Sequence, residues 1–307
     1  MAEKEPLFSE AEELESLLAE LEIQEEVKEI AGWESGFPSL SRALNGLLPG
    51  LYLLIGPPAS GKSAFAKQLC DQVALNNPVA AIFYAFAESK KGLRIRTLAR
   101  LSGLESREIR RGSAFLLHWY GAPKKRGPDP ERMAPSWEKL KRAAEEAKGW
   151  LDRVYLFEGA ERTAVAEMEG HIREVREIKG CERVMVTIDD SQRLGPRDLP
   201  LDARLPLVVE ELQGMAARLQ VALVATWPDL ARDRARTAPT DWSERIAGAD
   251  VILVLESDAE RTKKLNEPAR ALNLHIVKNR GGERGALAFD FMPPFSKFVE
   301  LPAGTGP

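Results

Sequence analysis

Residues 51–69 read LYLLIGPPASGKSAFAKQL. An apolar run stops at Gly56, a short loop closes on Gly61-Lys62-Ser63, and a helical pattern begins at once. A buried strand, a tight loop and a helix in that order belong to layered α/β folds. The loop, Gly56 to Ser63, fits G-x-x-x-x-G-K-[ST] at every fixed position, in the strand-then-helix context that gives the pattern its meaning. Backbone N–H groups from Ser60 to Ala64 would face the same point at the positive end of the helix, and there they can wrap phosphates. Lys62 would neutralise charge on the outer phosphates, and Ser63 would hold Mg²⁺. Pro57 and Pro58 lack N–H donors but fall in the early part of the loop, ahead of this cradle. Gly56, Ser60, Gly61, Lys62, Ser63 and Ala64 are therefore the expected nucleotide-binding residues.

The rest of the chain repeats the alternation. Strands are expected at 51–55, 80–86, 153–157, 184–189, 221–226, 251–255 and 272–278, and helices at 63–76, 90–101, 136–149, 162–178 and 205–219. Near-continuous apolar strands such as VMVTI and VALVAT, separated by helices, imply a parallel sheet covered on both faces. Asp189 closes one of these strands, where a water-mediated Mg²⁺ ligand belongs. The segment YGAPKKRGPDPERMAPS, 120–136, rich in Pro, Gly and charge, reads as part of an insertion spanning about 114–136. Its Lys124, Lys125 and Arg126 make a basic spot.

Ahead of this domain, residues 9–30 read as an acidic amphipathic helix. Ser9 can cap it with Glu12 in the capping-box spacing, and Leu14, Leu17, Leu18 and Leu21 share one face. That stripe must pack on its own domain or on a neighbouring subunit, and both readings stay open. Residues 1–31 hold eleven Glu and two Lys, so a formal charge of -4 conceals a leader at -9 and a mildly basic body. Such a body can meet a polyanion. Cys70 and Cys181 lack metal-ligand spacing and read as free core thiols, and His118, His171 and His275 are scattered. The six tryptophans read as packing residues. No apolar run approaches the ~20 residues of a membrane span, and the acidic start is not a signal segment; the expected location is the cytoplasm.

These residues resemble RecA-like ATPase cores, closest to the DnaB-type replicative helicase and RadA/KaiC-like branches. SGFPSLSRALNGLLPGLYLLIGPPASGKSAFAKQL is similar to the family's opening, and IFYAFAESKKGLRIRTLARLSGL to its second strand and helix. TIDDSQRL is similar to the strand with the Mg²⁺ aspartate, followed by Gln192. ERIAGADVILVLESDAE and IVKNRGGERGALAFDF resemble the later strand and final hairpin of DnaB-type cores. The resemblance covers about residues 36–300. It implies a three-layer α/β/α sandwich with a mostly parallel sheet and a C-terminal β-hairpin; the acidic N-terminal helix and its linker (1–35) precede it and a tail (301–307) follows.

The resemblance also implies ATP as substrate, Mg²⁺ as cofactor, and self-assembly into a ring or filament, the ring a hexamer, with ATP between neighbours. Lys278 and Arg280 would reach the adjacent copy's γ-phosphate. Loops after the Asp189 strand and the next strand would grip single-stranded DNA, through Arg193, Arg197 and Arg204 and through Arg232, Arg234 and Arg236. The family's catalytic Glu falls at Ala87, with Glu88 one residue later; alternation along a strand would turn Glu88 away unless the strand has ended. Asp190 is a second candidate for positioning water. The usual polar sensor position is filled only by Thr226. No counterpart of the helicases' N-terminal primase-contact domain is expected, and the expected function is a helicase-like motor or accessory ATPase on single-stranded DNA. The alternative is a KaiC/RadA-like regulatory ATPase, or an assembly scaffold with weak or no hydrolysis. The acidic helix is a candidate site for a protein partner.

Overall fold

The computed structural model describes residues 30–111, 130–160, 163–228 and 246–302, together with Leu14, Glu15 and Leu18. The strands are β1 (Gly50–Gly56), β2 (Ala80–Ala85), β3 (Val154–Glu158), β4 (Val184–Asp189), β5 (Ala222–Pro228), β6 (Val251–Ser257), β7 (Arg270–Asn279), β8 (Gly285–Met292) and β9 (Lys297–Glu300). The helices are α1 (Pro38–Leu44), α2 (Lys62–Asn76), α3 (Lys90–Ser102), α4 (Ser106–Arg111), α5 (Pro130–Leu151), α6 (Val165–Lys179), α7 (Leu201–Leu219) and the short α8 (Ala259–Thr262).

One sheet of nine strands runs in the order β3-β2-β4-β5-β1-β6-β7-β8-β9. The pairings from β3 to β6 are parallel, and those from β6 to β9 are antiparallel. The parallel strands are apolar on both faces because both faces are covered. Along β1, Leu51, Leu53 and Ile55 enter one core while Tyr52 and Leu54 enter the other; β2 divides Ala80, Ile82 and Tyr84 from Ala81, Phe83 and Ala85 in the same way. This is the period-two alternation of a strand acting on two layers at once. On one face α1, α2, Leu93 of α3 and the end of α5 supply the cover; on the other, α6 and α7 do. The result is the expected α/β/α sandwich.

All seven expected strands are present, each within two residues at either end. The antiparallel extension goes beyond the expected hairpin: β9 pairs with β8, joining Phe291 to Phe298. Phe37, Phe65, Phe289 and Phe298 then meet edge-on or stacked between α1, α2 and these strands. α5 starts at Pro130, inside the segment expected to be an insertion. Proline at a first helical position supplies a suitable φ and gives up an N–H with no intrahelical acceptor. Residues 112–129 lie outside the described residues, as does most of the expected leader helix; Leu14, Glu15 and Leu18 are helical. Trp150 and Trp227 are buried, Trp33 packs against the core edge and Trp137 is exposed, while Trp119 and Trp242 lie outside the described residues. Cys70 is buried and Cys181 half-buried, both as free thiols.

Candidate nucleotide site

Parallel strands bring their C-terminal ends to one edge of the sheet, and there β1, β2, β4 and β5 deliver the candidate residues. β1 ends at Gly56, and the loop turns through Ala59 at φ 62° and Gly61 at φ 100° before α2 begins at Lys62. Alternating handedness of this kind aims successive amides inward. Both glycines are dictated by close approach. A Cβ on Gly56 would stand 2.7 Å from the Leu255 carbonyl oxygen, and one on Gly61 would stand 3.0 Å from the Phe298 ring. The C-terminal strands thus form the floor beneath the loop. Phe65 N–H is bonded to Gly61 O at 2.9 Å. The amides ahead of Phe65 are those a helix leaves over at its start.

Lys62 Nζ donates to Gly56 O at 2.8 Å and to Pro57 O at 2.9 Å, which folds the side chain over its own loop. Ser63 Oγ donates to Asp189 Oδ1 at 3.1 Å, and Thr226 Oγ1 donates to the same oxygen at 2.7 Å. Ser191 Oγ donates to Thr226 O at 2.6 Å, locking the end of β4 to β5. Asp189 is 2% exposed. Burial pushes its carboxyl above the ordinary value, while the Thr226 and Ser63 hydroxyls hold it back. Asp190 is raised by burial and then by its neighbour Asp189, and Gln192 offsets part of this by donating through its amide N–H and side chain.

The donor set fits ATP and Mg²⁺. A hydroxyl and a carboxylate from different elements already meet, and a lysine stands within reach of the amide cradle. Ser60 Oγ is buried beside that cradle with no hydrogen-bond partner among the described residues, a donor suited to phosphate oxygen.

Glu88 lies on the link between β2 and α3. β2 ends at Ala85 and a last sheet bond, Phe86 N–H to Asp189 O at 2.7 Å, follows one residue later; Glu88 lies beyond both, so strand alternation does not govern it. Its carboxylate pairs with Arg96 Nε at 2.6 Å and with Arg110 Nη2 at 3.3 Å. Arg96 lies close enough to Asp189 to lower its carboxyl electrostatically. The role of Arg96 has no local signal in the sequence; only the packing of α3 against the end of the sheet brings it here.

Lys278 and Arg280 are not brought to this edge. Lys278 Nζ donates to Ala247 O at 2.7 Å, and Arg280 pairs with Asp250 Oδ1 at 2.9 Å. Asp250 Oδ2 in turn accepts from Leu51 N–H at the opposite end of β1. With ~3.3 Å per residue along β1, the two cations sit roughly 20 Å from their own phosphate loop. Burial, then the like charge of Arg280, lowers the Lys278 ammonium. Arg280 is 62% exposed.

In the loop after β4, Arg193 and Arg197 are exposed, whereas Arg204 Nη1 is turned inward, donating to Gln192 O at 3.2 Å. Arg232, Arg234 and Arg236 lie outside the described residues. A broad groove lined by Trp33, Arg42, Asn77, Cys181 and Arg183 shares no residue with the phosphate loop. Among the described residues no helix is long and apolar enough to cross a membrane, and no cluster of ligating side chains forms a separate metal site.

Residues 32–121 match the family model described as the DnaB-like helicase C terminal domain. Replicative DNA helicase DnaB of Pasteurella multocida (strain Pm70) is 24% identical over 282 residues, 89% of this chain and 56% of the relative. Replicative DNA helicase DnaC of Bacillus subtilis (strain 168) is 24% identical over 286 residues, 89% and 57% respectively. The chain therefore spans a little over half the length of these relatives. A solved ATPase domain superposes with a TM-score of 0.77 at 22% identity, covering 97% of this chain and 100% of that one. A DnaB-like replicative helicase, solved in a study of its interactions with primase, gives 0.75 at 21% identity, covering 94% and 68%. The fold is thus that of these solved domains, a layered α/β core with a phosphate-loop motif, in agreement with the sequence motifs.

Proposed function

We propose that residues 36–300 form an ATPase domain that binds ATP·Mg²⁺ at Gly56–Ser63 and hydrolyses ATP between copies in a ring, a hexamer, acting on single-stranded DNA as a helicase-like motor or accessory factor. Residues 1–35 and 301–307 would be a leader and a tail. One observation carries the reading: Ser63 on α2 and Asp189 on β4 share a hydrogen bond at the mouth of a glycine-turned loop. That is where a hydroxyl and a carboxylate must meet to hold a phosphate-bound cation.

In this account Lys62 exchanges Gly56 O and Pro57 O for outer phosphate oxygens. Ser63 and Asp189 hold Mg²⁺, which when bound neutralises charge on the phosphates. Thr226 fixes the Asp189 carboxylate and reports on the same site. Glu88 or Asp190 orients the attacking water. Lys278 and Arg280, too far from their own loop, would complete the site of the next copy and stabilise charge in the transition state. Arg193 and Arg197 are DNA-contact candidates that face solvent; Arg204 supports the loop that presents them; Arg232, Arg234 and Arg236 remain candidates by position in the chain. The acidic leader is the proposed site for a protein partner.

ATP turnover measured with and without single-stranded DNA at increasing salt tests the reading. We expect Mg²⁺-dependent turnover that is lost in Lys62→Ala, stimulated by DNA, and less stimulated as salt screens the phosphate contacts. Turnover indifferent to DNA at every salt concentration would contradict the DNA assignment. Unchanged nucleotide affinity in Lys62→Ala would contradict the site itself.

A further inference from the structure

Glu88 is positioned by contacts that the phosphate loop does not require. Both of its carboxylate oxygens are occupied, Oε2 by Arg96 Nε at 2.6 Å and Oε1 by Arg110 Nη2 at 3.3 Å. Arg96 is steadied from the other side, donating through Nη1 to Ser296 Oγ at 3.3 Å in the turn between β8 and β9. The carboxylate lies over the first turn of α3, against Gly92. A Cβ on Gly92 would stand 2.6 Å from Glu88 Oε1, so glycine there leaves the room this carboxylate uses. Glycine inside a helix is less stable than alanine, so the helix gives up stability at that position.

We propose that Arg96 and Arg110 are positioning residues that park the Glu88 carboxylate off the phosphate loop, so that basal ATP hydrolysis is limited by release of this pair. The proposal rests on the reading of Glu88 as the residue that orients water. Glu88 follows the end of β2 by three residues and precedes the capping Ser89; Phe86 N–H to Asp189 O and Lys90 N–H to Glu158 Oε1 hold the link on either side, and Glu88 itself lies outside the strand ladder. Arg110 is the weaker arm: half of its side chain is exposed, and the six-residue α4 that carries it buries no residue. Arg96, 27% exposed, is the firmer arm, and its field also reaches Asp189. Any movement of α4 would therefore act on hydrolysis before it acted on nucleotide binding.

The test is steady-state ATPase kinetics on the full chain for Arg110→Gln, Gly92→Ala, Arg110→Lys and Glu88→Gln, and for the first two combined with Glu88→Gln. Loss of a half-exposed ion pair should raise kcat about two- to fivefold in Arg110→Gln with KM for ATP unchanged. Gly92→Ala, which displaces the carboxylate by volume and leaves both arginines in place, should move kcat the same way. Arg110→Lys keeps the charge and should stay within about twofold of the parent. Glu88→Gln should depress turnover and erase both gains in the double variants. If Glu88→Gln lowers kcat but Arg110→Gln and Gly92→Ala leave it unchanged or lower, the latch is wrong while the role of Glu88 stands. Should Glu88→Gln leave turnover intact, or should the gains survive in its background, the reading of Glu88 as the water-orienting residue fails, and the latch fails with it.

Discussion

Asp71 is a buried carboxylate one helical turn beyond Lys67 on the helix that begins at the phosphate loop. It accepts from Lys67 Nζ, from Thr97 Oγ1 at 2.7 Å and from Arg100 Nη2, while Lys67 also donates to Thr97 at 3.0 Å. Burial alone would raise its carboxyl, but the Lys67 and Arg100 cations outweigh that and bring it below the ordinary value. A buried charge cluster of this kind costs desolvation, and it is favourable only while every member is present. Asp71→Ala should therefore destabilise the domain by about 3–5 kcal/mol in urea unfolding at neutral pH. Because the folded value is depressed, the stabilising effect is complete above the unfolded carboxylate value, about 3.9, and is lost as pH falls through the lower folded value. The gap between parent and variant should accordingly be flat from neutral pH to about pH 5 and close only in stronger acid. A gap that closes near neutrality would contradict the assignment. None of this was legible locally, because Thr97 and Arg100 reach Asp71 from another helix. The loop residues Gly56 to Ser63 and Asp189 were legible, because their spacing and context encode a single geometry. Arg96 was not, for the same reason as Arg100.

At the scale of elements, the parallel half of the molecule could be read almost strand by strand, since strands covered on both faces must be apolar throughout. The edge was harder. β9 is the four-residue KFVE, with only Phe298 of its residues buried, and nothing in so short an alternation marks a strand. What holds it is Gln68 on α2, whose amide takes a strand partner's role: Nε2 donates to Phe298 O at 2.9 Å, and Oε1 accepts from Phe298 N–H at 2.7 Å. Gln68→Ala would leave both groups buried without partners, a loss of about 1–3 kcal/mol. Hydrogen exchange should show the Phe298 amide losing protection while β1 and β4 keep theirs. Unchanged protection at Phe298 would mean that the Gln68 bonds do not hold this strand. Since Phe298 and Phe291 lie beneath Gly61, this contact also links the last strands of the fold to the phosphate loop. The start of α5 at Pro130 escaped the sequence reading because its proline- and charge-rich composition resembles a loop, although proline at a first helical position is compatible with a helix.

For the whole molecule, the decisive feature is the separation between Lys278 and Arg280 at one end of β1 and Lys62, Ser63 and Asp189 at the other. Sequence resemblance suggested a shared site; the sheet supports it by placing the two sets of residues too far apart to serve one nucleotide within one chain. In the proposed assembly two copies build each site, and mixing inactive subunits checks this. Lys62→Ala keeps Arg280 but lacks the phosphate-loop cation, and Arg280→Ala is the converse. Each alone should be nearly inactive. Equal mixing and reassembly should restore about a quarter of the parent ATPase rate, the fraction of neighbouring pairs that join an intact loop to an intact Arg280 in a head-to-tail ring. A mixture no more active than its two components, under conditions in which they assemble together, would contradict the claim.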